Sequence, residues 1–224
     1  MGRYYSEKLA ALRLKKVYEI APPRVQQYLT AEVDHVLQKI KPDDMVLELG
    51  CGYGRVVKQL ARKARFVAGI DTSLTSLLLG LETLTSLSNC SLLSMDAVCL
   101  GFQDMVFDMV VCIQNGISAF HVNQRDLIRE GIRVTKSGGM VLFSSYADTF
   151  WKERLAWFKL QSAAGLLGEI DYEKTRNGVI VCKDGFTATT VRPDQFRSLT
   201  EGFDVDMEVI EVDGSSLFFE ITTS

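Results

Sequence analysis

An α/β fold with a mostly parallel sheet is what this sequence predicts, and three observations carry that reading. Short apolar strands alternate with helical segments from Met45 to Ser144, a glycine-rich turn joins the first of these strands to its helix, and hairpin signals replace the alternation afterwards. Strand and helix alternating at this pitch imply right-handed crossovers, which put helices over both faces of a parallel sheet. The 224 residues, 47% hydrophobic and 24% charged, suffice for one domain with a substantial core.

Ser6 to Tyr18 carries Leu9, Leu12 and Leu14 among lysines and arginines, the spacing of an amphipathic helix that Pro22-Pro23 interrupts. A second helix runs from Pro23 to Ile40 on the stripe Val25, Leu29, Val33, Val36, Leu37 and Ile40, and Pro42-Asp43-Asp44 stops it. Then come strand Met45–Leu49, helix Arg55–Ala64, strand Phe66–Ile70, a leucine-rich helix Leu74–Leu87 and strand Cys90–Met95. Strand Phe107–Ile113, helix Gln124–Val134 and strand Gly139–Ser144 continue the alternation. A helix from Asp148 to Ala163 follows, with short strands at Val179–Cys182 and Thr187–Val191 around the turn Lys183-Asp184-Gly185. After a short helix from Pro193, strands Val205–Val212 and Leu217–Thr222 form a hairpin that adds an antiparallel strand to the sheet. The chain divides into amino-terminal helices (1–41), a ligand-binding core (42–145), a substrate-side insertion (146–192) and carboxyl-terminal strands (193–224).

Composition excludes several functions. The net charge of −3 and scattered lysines and arginines leave no basic stripe for a phosphate backbone, which argues against nucleic acid as a partner. Five cysteines, Cys51, Cys90, Cys99, Cys112 and Cys182, are widely separated without metal-ligand spacing, and read as free thiols in a reducing compartment. Neither an apolar leader nor a run of membrane-spanning length is present, so the expected location is cytoplasmic, away from membranes.

The strand-to-helix turn Glu48-Leu49-Gly50-Cys51-Gly52-Tyr53-Gly54-Arg55 is the strongest chemical signal. Glycines there let the chain turn sharply and let a ligand approach closely, and the following helix start favours negative charge. A dinucleotide site uses a similar loop, but its fingerprint wants glycine where Arg55 stands. Glu48, two residues before the first glycine, can accept from an ammonium group. Asp71, with Thr72 beside it, ends the second strand, where a carboxylate can accept both hydroxyls of a ribose. Asp96-Ala97 closes the third, where a carboxylate can meet an adenine amino group and a small side chain leaves room for the ring.

On these residues the chain resembles class I S-adenosylmethionine-dependent methyltransferases of the small-molecule, ubiquinone-biosynthesis-like group. Glu48 to Gly54 is similar to motif I, Asp71 to motif II, Asp96-Ala97 to motif III, Phe107 to Val111 to motif IV, and Lys136-Ser137-Gly138-Gly139 to the turn before strand five. The resemblance covers Pro42 to Ser145. It implies a Rossmann-like, seven-stranded sheet whose last strand is antiparallel, an amino-terminal helical lid, and S-adenosyl-L-methionine lying across Gly50, Gly52, Asp71, Asp96, Ile113 and Gln114. Cys51 and Gly54 join that set, and Tyr5, Tyr18 and Arg24 are the lid contacts it implies.

Methyl transfer to a small acceptor then follows by in-line displacement. His121, one of two histidines, is the candidate general base for a hydroxyl or ammonium acceptor. His35 reads as a solvated helix residue and Asp108 as an organiser of strand four. Two other readings remain open, a methyltransferase-like module that holds the cofactor without turnover and a nucleotide-dependent oxidoreductase. No metal is expected.

Overall fold

The computed structural model describes Tyr4 and residues 8–224. In chain order its helices are α1 (Leu12–Glu19), α2 (Pro23–Lys39), α3 (Val57–Leu60), α4 (Leu74–Thr83), α5 (Gly116–Ala119), α6 (Gln124–Val134), α7 (Trp151–Ala163) and α8 (Pro193–Thr200). Its strands are β1 (Met45–Leu49), β2 (Phe66–Asp71), β3 (Cys90–Ser94), β4 (Phe107–Cys112), β5 (Thr135–Tyr146), β6 (Ile180–Val181), β7 (Thr187–Ala188), β8 (Val205–Val212) and β9 (Ser216–Thr223). Seven of the strands form one sheet in the order β3-β2-β1-β4-β5-β9-β8, while β6 and β7 make a separate two-stranded ribbon in the insertion. Pairing is parallel from β3 to β5, and β9 runs antiparallel to both β5 and β8. This is the Rossmann-like, seven-stranded sheet the sequence predicts.

The strands are apolar on both faces because both are covered. Successive residues point to opposite sides. Leu47, Val110, Phe143 and Phe219 face one core with α6 and α8, and Val46, Met109, Leu142 and Phe218 face another with α2 and α4. A third apolar cluster lies outside the sheet, where Leu9, Val17, Tyr28, Trp157, Phe158 and Phe186 join the amino-terminal segment to α7 and the ribbon. From β1 the chain works outward to β3, then crosses to β4 on the other side of β1. Strand order reverses there, and in open α/β sheets the crevice beyond such a point receives ligands.

Several elements differ from their predicted bounds, among them the strand predicted over Thr187–Val191, which pairs only at Thr187–Ala188. Of the predicted Ser6–Tyr18 helix, the described residues are helical from Leu12, because Ala11 takes φ 49° and donates its N–H to Ser76 Oγ at 2.9 Å. The helix predicted over Arg55–Ala64 keeps regular form only at Val57–Leu60. α4 ends at Thr83 rather than Leu87. Thr83, Thr85, Ser86 and Ser88 carry hydroxyls that compete for backbone partners, and Thr83 Oγ1 already donates to the Gly80 carbonyl at 3.0 Å. β5 starts at Thr135, so the Lys136–Gly139 turn lies within it as an irregularity in its pairing with β4. Asp108 organises this corner, accepting from the Met45 N–H at 2.9 Å and Lys136 Nζ at 2.7 Å. No described helix is long and apolar enough to cross a membrane.

Candidate functional site

The glycine turn after β1 is stitched to β2. Gly50 and Cys51 both donate to the Ile70 carbonyl at 2.8 Å. Asp71 accepts from the Gly52 N–H at 2.8 Å and from the Ser73 N–H at 2.7 Å, one on each carboxylate oxygen. Each oxygen keeps a further lone pair, so the carboxylate can take additional donors. Gly50 has φ 74°, and a Cβ there would lie 2.3 Å from the ring of Phe120, so the turn admits no side chain.

Above this turn opens a cavity of about 1220 Å³, somewhat more than a single small ligand requires. Of the predicted residues, Glu48, Gly50, Cys51, Gly52, Asp71, Thr72, Asp96, Ala97, Ile113, Gln114, Tyr18 and His121 all line it. Two predicted residues do not. Arg24 is turned away, its guanidinium donating to Asp213 Oδ2 at 2.6 Å and to the Asp213 carbonyl at 2.8 Å while stacking on Phe150. Gly54 faces the side chain of Leu84 and serves the packing of α4. Tyr5 lies outside the described residues.

Polar groups on one wall remain unsatisfied. Glu48 is buried, and its Oε2 has no hydrogen-bond partner among the described residues. Burial pushes its carboxyl up to about 8, against the nearby Arg55 cation and the Val57 backbone N–H, which favour the anion. Arg55, the residue that breaks the dinucleotide fingerprint, donates from Nη2 to Gln114 Oε1 and stacks on Tyr18 with its guanidinium carbon 4.2 Å from the ring centroid. That bond fixes which way the Gln114 amide points. Gln114 Nε2 and Arg55 Nε find no partners among the described residues. Buried polar atoms of this kind call for a ligand that supplies the missing bonds.

The floor beneath Gln114 contains a residue that sequence reasoning missed. Gln114 and Asn115 are both left-handed, with φ 58° and 64°. Glu32 of α2, fully buried, accepts from the Gln114 N–H at 2.6 Å and Ser144 Oγ at 2.9 Å, and also from Ser216 Oγ. The sequence did hold a signal. Glu32 falls three residues after Leu29 and seven after Val25, a carboxylate on the buried stripe of an amphipathic helix. His35 also departs from the solvated reading, bonding Glu220 at 2.6 Å and packing on Phe218.

The amino-terminal segment closes the cavity. Leu14 packs over Gly52, Trp157 Nε1 donates to the Val17 carbonyl at 3.1 Å, and Tyr4 OH donates to Asp184 Oδ2 at 2.8 Å. Arg13 donates to the carbonyls of Gly165 and Leu166 at 2.7 and 3.1 Å, so segment and insertion meet over the site. Rings of Tyr53, Tyr18, Trp157, Phe158, Phe186 and Tyr4 follow one another at centroid distances of 4.8 to 6.4 Å. Asp96 stands exposed at the opposite end, accepting from the Val98 N–H at 3.1 Å. His121 is exposed at the rim, and partial desolvation lowers its pKa, so it is neutral at pH 7.

Burial raises Glu32 to about 7 and Glu48 to about 8, each from 4.5. Between pH 6.5 and 8 the folded chain therefore holds protons on these groups that the unfolded chain has lost, and stability falls as pH rises. The carboxyls held low by partners, Asp108, Glu130, Asp213 and Glu220, act below this window. The ligand-free protein should lose Tm across it, and Glu32→Gln/Glu48→Gln should flatten the slope. Parallel slopes in the two proteins would mean that neither carboxyl titrates there.

A methyltransferase-domain family matches residues 46–139. No curated protein matches the sequence. Among solved structures, a protein from Pyrococcus horikoshii aligns with a TM-score of 0.68 at 20% identity over 100% of both chains. An S-adenosylmethionine-dependent methyltransferase from Methanosarcina mazei aligns with a TM-score of 0.61 at 19% identity, over 84% of this chain and 96% of that one. The N-methyltransferase NodS of Bradyrhizobium japonicum, in complex with S-adenosylhomocysteine, aligns with a TM-score of 0.60 at 15% identity, over 90% and 88%. At these identities the likeness is one of fold.

Proposed function

We propose that this chain, whose residues 46–139 match a methyltransferase-domain family, is a class I S-adenosylmethionine-dependent methyltransferase that methylates a small molecule held between the amino-terminal segment and the insertion. S-adenosylmethionine is the cofactor. The observation that carries the site assignment is Glu48 Oε2, a buried carboxyl oxygen without a partner among the described residues, on the wall of the glycine-turn cavity. An ammonium group is the donor such an oxygen lacks, and it would draw the Glu48 proton off. Asp71 has lone pairs left for ribose hydroxyls, Asp96 and Ala97 suit an adenine edge and face, and Gly50 and Gly52 let the ligand lie against backbone. Cys51 and Thr72 complete the turn's surface.

When bound, the cofactor supplies a methyl group already activated on a sulfonium. What this chain must do is orient the acceptor in line with that carbon and keep water out. Ile113 and Gln114 follow β4 at the meeting point, where the Gln114 Nε2 donor, unpartnered among the described residues, can hold an oxygen or ring nitrogen of the acceptor. Tyr18, Trp157, Phe158 and Phe186 give that side an apolar, aromatic wall, suited to a compact organic acceptor. His121, neutral at pH 7, receives the proton that a hydroxyl or ammonium acceptor releases. The net charge of −3 favours a small acceptor over a nucleic acid.

Calorimetric titration with S-adenosylmethionine, S-adenosylhomocysteine and NADH tests the reading. Micromolar binding of the first two and none of NADH is the expected result, and binding of NADH alone would sink it. Binding without product over a panel of small hydroxyl, amine and thiol acceptors would favour a cofactor-holding module.

A further inference from the structure

We propose that Glu32 is a positioning residue for methyl transfer, its carboxylate holding the left-handed Gln114–Asn115 turn in the one conformation that aims Gln114 into the cavity. The proposal rests on the methyltransferase reading for its purpose, though not for its geometry. Glu32 sits on α2, outside the sheet, yet it gathers donors from the ends of three strands. These are the Gln114 N–H after β4, Ser144 Oγ on β5 and Ser216 Oγ on β9. A carboxylate in a core this apolar costs stability unless its bonds achieve something else.

What they hold is a strained pair. Non-glycine residues at positive φ are individually disfavoured, and here two adjoin. Asn115 is locked from the other side, its Oδ1 accepting from Ser145 Oγ at 2.8 Å and its Nδ2 donating to the Thr189 carbonyl at 3.0 Å. Ser145 Oγ in turn accepts from the Val191 N–H at 2.9 Å. The turn thus joins two halves of the site. Through Gln114 it reaches Arg55 and Tyr18 on the cofactor side, and through Asn115 it reaches the insertion on the acceptor side. Glu32 touches neither ligand space directly and acts through Gln114.

Of the groups packed around Glu32, the phenols and the thiol keep one charge state near neutrality, whereas Glu48, pushed up to about 8, titrates just above it. Tyr28 on its own helix, Cys112 of β4 and Tyr146 of β5 are all pushed up by burial and stay neutral. Arg154 of α7 stacks behind Tyr146, and Glu220 of β9 is tied to His35 and Lys39. Glu48 of β1 and Glu32 both push the Cys112 thiol up.

Two measurements test the proposal. The backbone amide resonance of Gln114 should move with pH in the wild-type protein, with a midpoint near 7, and lose that step in Glu32→Gln, leaving only the movement near 8 that Glu48 contributes through Arg55. A wild-type trace without that step, or the same step in the variant, overturns the link. Separately, Glu32→Gln can keep the three contacts by reversing one serine hydroxyl, and should bind S-adenosylhomocysteine within threefold of wild type. Glu32→Leu, folded by near-ultraviolet circular dichroism, should bind it at least tenfold more weakly. Equal binding by both variants, with only Tm lowered in the leucine protein, means a purely structural carboxylate and overturns the proposal. The amide titration decides the matter even where Glu32→Leu does not fold. Failure of the wild-type protein to bind S-adenosylhomocysteine would instead count against the methyltransferase reading, leaving the titration to judge Glu32.

Discussion

Asp71→Ala is expected to weaken S-adenosylhomocysteine binding about a hundredfold or more, as hydrogen bonds to a charged group contribute roughly 1.5–3 kcal/mol each and a ribose offers two. The same change strips the Gly52 and Ser73 N–H groups of their acceptor. The glycine turn should therefore loosen and Tm fall by several degrees. Asp71→Asn separates the two effects. Its amide oxygen can still accept one backbone N–H, so it should recover much of the Tm while binding stays weak. Calorimetry on the three proteins reads this directly, and an Asp71→Ala affinity within threefold of wild type would remove the ribose contact from the site.

The second large effect is expected at Gly50. Valine there would be held at φ 74°, where a β-branched residue is strained by roughly 1–3 kcal/mol. Its Cβ would also have to displace the Phe120 ring, which an added carbon meets at 2.3 Å. Phe120 lines the same cavity, so the ring has little room to yield without entering ligand space. Gly50→Val should lower Tm clearly and bind no S-adenosylhomocysteine at calorimetric concentrations. Gly138→Ala serves as the control. It also sits at positive φ, 72°, but an added carbon there meets nothing within 4 Å, so it should cost strain alone and leave binding intact. Equal binding by both variants would mean that Phe120 does not guard the turn.

Most of the fold was legible because its elements obey local rules. The β4 segment Phe107–Cys112 is a short apolar run between turn signals, and α6 carries Leu127, Ile128, Gly131 and Val134 on one face behind the cap Asn123. The lining of the cavity was legible for a related reason. Glu48, Asp71 and Asp96 sit at strand ends, where position in the alternation already places a side chain at the crevice. Arg24 fails that logic because its partner, Asp213, lies 189 residues away in sequence and local pattern carries no trace of it. Glu32 was passed over for the opposite reason. The apolar members of its helix face suffice to place the helix, whereas the one charged residue on that face is the informative one.

The Glu32 bond to Ser216 spans 184 residues, and β9 lies between β5 and β8 rather than at an edge. A chain emerging from the ribosome thus makes the glycine turn, the acidic strand ends and the Gln114 turn long before it makes the strand that completes their support. Contacts of such sequence separation form late, since closing a long loop must precede any gain from it. Until β9 arrives, β5 exposes an open, apolar edge and Glu32 lacks one of its donors. The growing polypeptide in that interval is a candidate for chaperone capture, and its ability to hold ligand should appear only once residues 216–223 have been synthesised.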